Sequence, residues 1–286
     1  MKKNLFLIIV SIILAFLTIF AAILIYLDSV KPVVTTYAVT GSVFFPIRIV
    51  HLTDLHSVVY GDGNEEIVSS VLSASPDLIL MTGDMLSAED DGPEVVCDLI
   101  RHLAEIAPVY YGYGNHEKEW EARTGDSLAP ALASAGATVL DCAYVDVTVC
   151  GTDLRIGGYH GYYRQPHMFP ISEDQKQAEL SFCDDFENTD RYKILLCHIP
   201  TAWLDWGYIN CFPVDLVLSG HYHGGQICLF GRGLYAPYVG LFPEYTRGIF
   251  QGETATCILS AGIGTEQGIP RINNPPEILV VDLIPQ

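Results

Sequence analysis

Basic side chains are scarce in this sequence: 15 Lys and Arg stand against 34 Asp and Glu, a net charge of -19 over 286 residues. Nucleic-acid binders recruit cations to displace phosphate counterions, so a nucleic-acid partner is disfavoured. The same deficit argues against electrostatic attachment to anionic lipid. None of the eight cysteines forms a C-x-x-C pair, which sets aside a Cys-rich structural zinc site. Cys197, Cys228 and Cys257 lie in apolar runs and read as small core residues, while Cys142 and Cys150 flank an expected strand without requiring a disulfide. Internal repeats and low-complexity tracts are also absent.

What is present begins with one long apolar run. Leu5 to Leu27 carry no charge and are apolar apart from Ser11 and Thr18. About 20 such residues suffice to span a bilayer as a helix. A cleavable signal has a shorter core, roughly 7–15 residues, and a small-residue cleavage site, which Ile23 to Leu27 lack. Residues 1–29 are therefore expected to be an uncleaved, single-pass membrane anchor. Lys2 and Lys3 precede it, and Asp28 with a lone Lys31 follows. The positive-inside bias then leaves the N-terminus in the cytoplasm and the remainder outside the cell membrane. Residues 30–46 read as a partly extended linker and 47–286 as one α/β domain, large enough to bury a core.

Within that domain, short β-branched runs alternate with amphipathic helices. Strands are expected at 48–53, 78–81 and 109–111, with helical spacing around Ile67 to Leu72, Val95 to Leu103 and Leu128 to Ala135. Further strands are expected at 145–149, 154–156, 194–197, 216–218 and 278–283, and a loop-rich stretch from Gly157 to Thr189.

Five apolar runs end in metal-binding residue types. These ends are Asp54-Leu55-His56, Gly83-Asp84, Gly114-Asn115-His116-Glu117, His198 and Gly220-His221-Tyr222-His223. Ligands of α/β sheets bind beyond the carboxyl ends of strands, so these ends are expected to meet in one crevice. In extended backbone, residues two apart face the same way, which lets Asp54 with His56, and His221 with His223, chelate as pairs. Oxygen and imidazole donors without thiolate suit Mn, Fe, Zn or similar ions. Asp54, His56, Asp84, Asn115, His198, His221 and His223 are too many for one tetrahedral ion. Two ions about 3.5–4 Å apart and sharing Asp84 fit better.

The ordered blocks D-x-H, G-D, G-N-H-E, H and G-H-x-H resemble the calcineurin-like metallophosphoesterase superfamily. The stretches Ser219 to Ile227 and Arg271 to Ile278 are similar to a bacterial membrane-associated branch that includes phosphodiesterases acting on UDP-2,3-diacylglucosamine. Where that branch often has Cys before two prolines, this chain has Asn274. The resemblance covers Ile47 to the C-terminus and implies a four-layer α/β/β/α sandwich with the site at one edge of two sheets. It implies that Asp54, His56, Asp84 and His223 hold one ion, and that Asp84, Asn115, His198 and His221 hold the other. His116 is then left to serve the substrate as a catalytic group.

Outside these motifs, His51 reads as a core residue and His102 as a helix-surface residue, while His160 and His167 fall in the irregular segment. Arg164, Arg232 and Arg247, set among tyrosines, are candidate substrate contacts because guanidinium pairs with phosphate. The expected function is hydrolysis of a phosphodiester or pyrophosphate on a lipid-linked or cell-envelope substrate. A phosphoprotein phosphatase or other phosphomonoesterase, a nuclease and a non-enzymatic membrane-tethered scaffold are the alternatives. The scaffold should show a broken donor set, and this one is intact.

Overall fold

The N-terminal apolar run forms a single helix, α1 (Lys2–Val30), and its Asn4–Leu27 stretch is long and apolar enough to cross a membrane. The computed structural model describes residues 2–164, 172–237, 239–265 and 269–286, without the side chains of residues 2, 3 and 28–30. His167 and Tyr238 lie outside the described residues, as do the side chains of Lys2 and Lys3.

Where a linker was expected, the chain instead makes a nine-residue strand, β1 (Val33–Gly41). Its Val, Thr and Tyr content suits a pleated surface. The interspersed threonines hide the apolar alternation that would have revealed it. β2 (Ile47–Leu52), α2 (Glu65–Ala74), β3 (Leu78–Met81), α3 (Glu94–Ala104) and β4 (Val109–Gly112) then alternate. α4 (Asn115–Thr124) and α5 (Ala129–Ala135) follow, the latter ended by Gly136 at φ 117°. Next come β5 (Ala137–Leu140), β6 (Ala143–Val149) and β7 (Thr152–Tyr159).

The expected loop-rich segment is another correction, because it contains the last three residues of β7 and a 15-residue helix, α6 (Glu173–Glu187). Ser172 caps that helix and Gln175 returns the hydrogen bond, a capping box legible as S-x-x-Q. Phe182, Cys183 and Phe186 form its buried face. β8 (Tyr192–Cys197) and β9 (Leu216–Ser219) precede four two-residue strands: β10 (Cys228–Leu229), β11 (Arg232–Gly233), β12 (Tyr235–Ala236) and β13 (Gly240–Leu241). β14 (Gly248–Gln251), β15 (Thr256–Leu259) and β16 (Glu277–Pro285) complete the chain.

Two six-stranded sheets result, ordered β1-β16-β2-β3-β4-β5 and β14-β15-β9-β8-β7-β6. β2, β3, β4 and β5 are mutually parallel in the first, and β7, β8, β9 and β15 in the second. Ile49, Leu80 and Leu279 meet Ile156, Leu196 and Leu218 in a core between the sheets. The outer face of the first sheet packs against Ile67, Leu99, Ile100 and Leu132 from its helices. The outer face of the second packs against Phe182 and Phe186 of α6. These are the four layers α/β/β/α. Strands covered on both faces are apolar at nearly every position, which explains runs such as Leu78-Ile79-Leu80-Met81.

Candidate active site

Each motif residue sits just past the carboxyl end of a parallel strand: Asp54 and His56 after β2, Asp84 after β3, Asn115 after β4, His198 after β8, and His221 and His223 after β9. The turns that aim them are strained. Asp54, His56, Asp84, His221 and His223 all have positive φ, between 47° and 70°. Such backbone costs non-glycine residues about 1–3 kcal/mol each and concentrates at functional sites. It also corrects the expectation of extended chelating pairs: the D-x-H and H-x-H side chains converge through left-handed turns. Neighbouring glycines make room, since a Cβ at Gly114 or Gly220 would collide with the carboxylate of Asp84 or Asp54.

The structure brings these residues together. Potential donor atoms of Asp54, His56 and His223 cluster within 4.8 Å of one another, as do those of His56, Asp84 and His116, and of Asp84, His198 and His221. Asp84 Oδ2 lies 2.9 Å from His198 Nε2 and 4.0 Å from His116 Nε2. His56 Nε2 and His223 Nε2 are 3.2 Å apart.

Electrostatics follow from depth. Burial pushes the imidazoles of His56 and His221 down to about 3 and that of His223 well below its usual range, so these rings are neutral and offer lone pairs. Burial likewise raises Asp54 to about 6. Asp84 is pushed up by burial too, but the adjacent His198 outweighs this and holds its carboxyl well below the carboxylate range. In return, against the burial that lowers it, His198 is raised to about 9 by Asp84 and Asp54.

The supporting contacts fix orientation. His198 Nδ1 lies 2.7 Å from the Thr82 carbonyl, which can only accept, so Nδ1 carries a proton and Nε2 is turned to the centre. The His221 backbone N–H donates to Asp54, and the His116 backbone N–H donates to Asp84 Oδ1 at 2.8 Å. Asn115 Oδ1 is buried without a hydrogen-bond partner among the described residues. Leaving such an oxygen unpaired costs about 1–3 kcal/mol. A hard or borderline cation answers that oxygen, the neutral imidazoles and the paired carboxylates together, so the donor set fits divalent metal.

His116 stands apart chemically. The Ala88 backbone N–H donates to its Nδ1 at 3.0 Å, so Nδ1 is an acceptor and Nε2 carries the ring proton. A cavity of about 250 Å³ opens beside it, lined by Asp84, Asn115, Glu119, His221, His223 and Pro237.

None of the three arginines lines that cavity among the described residues. Arg164 is held by Glu187 and Asp184 at 3.0 and 2.7 Å, because α6 presents an acidic face to it. Arg232 is exposed on β11, and Arg247 donates to Asn274 Oδ1. His51 is buried against Thr82 and His102 lies exposed on α3, as expected, whereas His160 pairs with Asp141 at 3.1 Å. None of the eight cysteines forms a disulfide.

Sequence reasoning gave no role to Glu117, yet its fully buried carboxylate accepts from the backbone of Asp84, Met85 and Gly114 and from the Tyr111 hydroxyl. Its position three residues after the Gly114 cap was the available signal. Asn274 and Arg271 stood only as marks of the branch resemblance, with no role given to either. Asn274 Nδ2 donates to the His223 carbonyl at 2.7 Å. Buried Arg271 donates to the carbonyls of Ala261, Gly262 and Gly264, the loop that packs on Asp54.

Comparison with known proteins identifies relatives by sequence. The chain is 27% identical over 259 residues to an uncharacterised metallophosphoesterase of Bacillus subtilis, covering 84% of this chain and 80% of that one. It is 27% identical over 248 residues to the phosphodiesterase YaeI of Escherichia coli, covering 84% and 83%. Among solved structures, a 5'-nucleotidase precursor from Thermus thermophilus superposes with a TM-score of 0.48 at 15% identity, covering 83% of this chain and 55% of that chain. The model of the calcineurin-like phosphoesterase family matches residues 47–225, from β2 through the last histidine block. This chain belongs to that family and is a phosphoester hydrolase.

Proposed function

We propose that the chain is a membrane-anchored hydrolase using two divalent cations, of Mn, Fe, Zn or similar type, to cleave a phosphodiester or pyrophosphate on a lipid-linked or cell-envelope substrate. In this reading Asp54, His56, Asp84 and His223 hold one ion, and Asp84, Asn115, His198 and His221 hold the other. The observation that carries it is the place of Asp84, a buried carboxylate common to the donor group with His56 and the group with His198 and His221. When bound, such ions supply Lewis acidity for water activation near neutral pH and neutralise phosphoryl charge.

The chain's own residues do the rest. Thr82 and Glu117 hold His198 and the Asp84 turn in place, so the donors are oriented before substrate arrives. His116, with its proton on Nε2, donates a hydrogen bond to the leaving oxygen or to the phosphoryl group at the mouth of the cavity and stabilises the charge that develops there. The similarity to a phosphodiesterase supports a diester. α1 supports a lipid-linked substrate, because tethering raises the local concentration of anything in the same bilayer. Lys2 and Lys3 ahead of the span support an extracytoplasmic domain.

The test is purified full-length protein with Mn, assayed on UDP-diacylglucosamine, glycerophosphodiesters and bis-p-nitrophenyl phosphate. Metal-dependent diester cleavage is expected. Hydrolysis restricted to soluble phosphomonoesters would rule out the lipid-linked reading.

A further inference from the structure

The strand topology places the membrane helix beside the active site. β16 runs antiparallel to β2, with Leu279 opposite His51, so β16 begins where β2 delivers Asp54. β1 is parallel to β16 and starts with Val33 opposite Glu277, at that same edge. The Val33 backbone N–H donates to the Pro276 carbonyl at 2.8 Å, and two residues earlier Asn274 holds the His223 carbonyl. Only Lys31 and Pro32 separate α1 from β1, and so short a link spans at most about 10 Å. The apolar helix therefore leaves the domain through the edge that bears the catalytic residues.

A second apolar feature lies on that edge. Just after His223 the chain makes two small hairpins, β10–β11 and β12–β13, tied back by Leu234 N–H to the Gly225 and Ile227 carbonyls. Pro237, in the turn of the second, lines the cavity. Phe230, in the turn of the first, is fully exposed at φ 54°; Leu229 on β10, Leu241 on β13 and Phe242 just past it are exposed on the same pair of hairpins. Scattered apolar residues on a surface need no explanation, but a cluster on loops beside a site marks an interaction surface. Phenylalanine is also an unusual choice for a left-handed turn position.

We propose that these hairpins dock on the bilayer, with Phe230, Leu241 and Phe242 entering the interfacial layer, so that the cavity faces the membrane and receives a phosphoester headgroup still attached to its lipid. This rests on the anchored-hydrolase reading above. The net charge of -19 means that the contact is apolar rather than electrostatic, and Arg232 next to the tip meets headgroup phosphate.

The test uses the full chain with Mn in phosphatidylcholine vesicles. In Phe230→Trp, the added emission should be quenched by lipids carrying a doxyl group near the headgroup; unchanged emission overturns docking. The double variant Phe230→Asp/Phe242→Asp should cleave soluble bis-p-nitrophenyl phosphate within about twofold of the parent, yet lose about tenfold on a headgroup diester embedded in the vesicles. Equal loss, or no loss, on both substrates also overturns it. A parent chain inactive on every diester would sink the hydrolase reading, while the quenching result would still decide the docking.

Discussion

Two clusters of histidine and carboxylate stand at the same strand edge. Asp141, Cys142 and His160, past β5 and β7, bring potential donor atoms within 4.8 Å of one another, as the groups around Asp84 do. There the similarity ends. Burial opposes ionisation of Asp141, but His160 and the ammonium of Lys118 hold its carboxyl at about 2. Lys118 is an ion-pair partner already in place. Burial raises the Cys142 thiol above its ordinary range, so it is protonated. Around Asp84, by contrast, three imidazoles are forced neutral and an amide oxygen is left unpaired. Around Asp141 the lysine cation completes the cluster; around Asp84 the only proton-borne charge is on His198, which an incoming ion displaces, and the neutral rings and the amide oxygen are left to hold that ion.

The largest expected effect tests the shared position of Asp84. Asp84→Asn should lose both ions by elemental analysis and lower diester turnover by about 10⁴-fold or more. Retention of two ions per chain would end the bridging assignment. His116→Gln should lower turnover by about 10²–10³-fold with metal content intact, and a fully active variant would remove His116 from the chemistry.

Glu117→Gln replaces one acceptor oxygen of the carboxylate with an NH₂, which then faces either the N–H groups of Asp84 and Gly114 or the Met85 N–H with the Tyr111 hydroxyl. A stability loss of about 3 kcal/mol is expected in denaturant titration. A change below about 1 kcal/mol would mean that the backbone around Asp84 does not depend on it.

The His198 shift predicts opposite pH trends with and without metal. Its folded-state value, about 9, lies above the ordinary 6.5. After chelation, the stabilising His198–Asp84 pair is therefore complete below pH 6.5 and is lost as pH rises towards 9, on the order of 3 kcal/mol. Metal must displace that proton, so metal affinity should rise over the same window. Parallel trends in thermal melts with EDTA and with Mn would contradict the assignment. The smallest effect belongs to the comparison cluster: Cys142→Ser should change stability by less than about 1 kcal/mol and leave metal content unchanged. Loss of an ion in that variant would make the two clusters alike.

Much of this is legible in the sequence. The runs Ile49-Val50-His51-Leu52 and Leu78-Ile79-Leu80-Met81 read as strands because both faces of each sheet are covered. β1 was not legible, because Thr35, Thr36 and Thr40 break the pattern of an edge strand whose pairing partner lies over 240 residues away. α6 was obscured by its acidic sequence, although its capping box was in view. Arg164 read as a phosphate contact on residue type alone, and the acidic face of α6 claims it.

The sequence by itself determined the donor inventory and the strand ends that bear it, because residue type and local apolar runs are one-dimensional properties. Tertiary structure decided which histidine is an acceptor at Nδ1, which rings are neutral, and that Glu117 underlies the Asp84 turn. It also decided that α1 and the candidate site lie at one edge of the first sheet. Those depend on burial depth and on β1 pairing with β16, contacts between residues far apart in the chain.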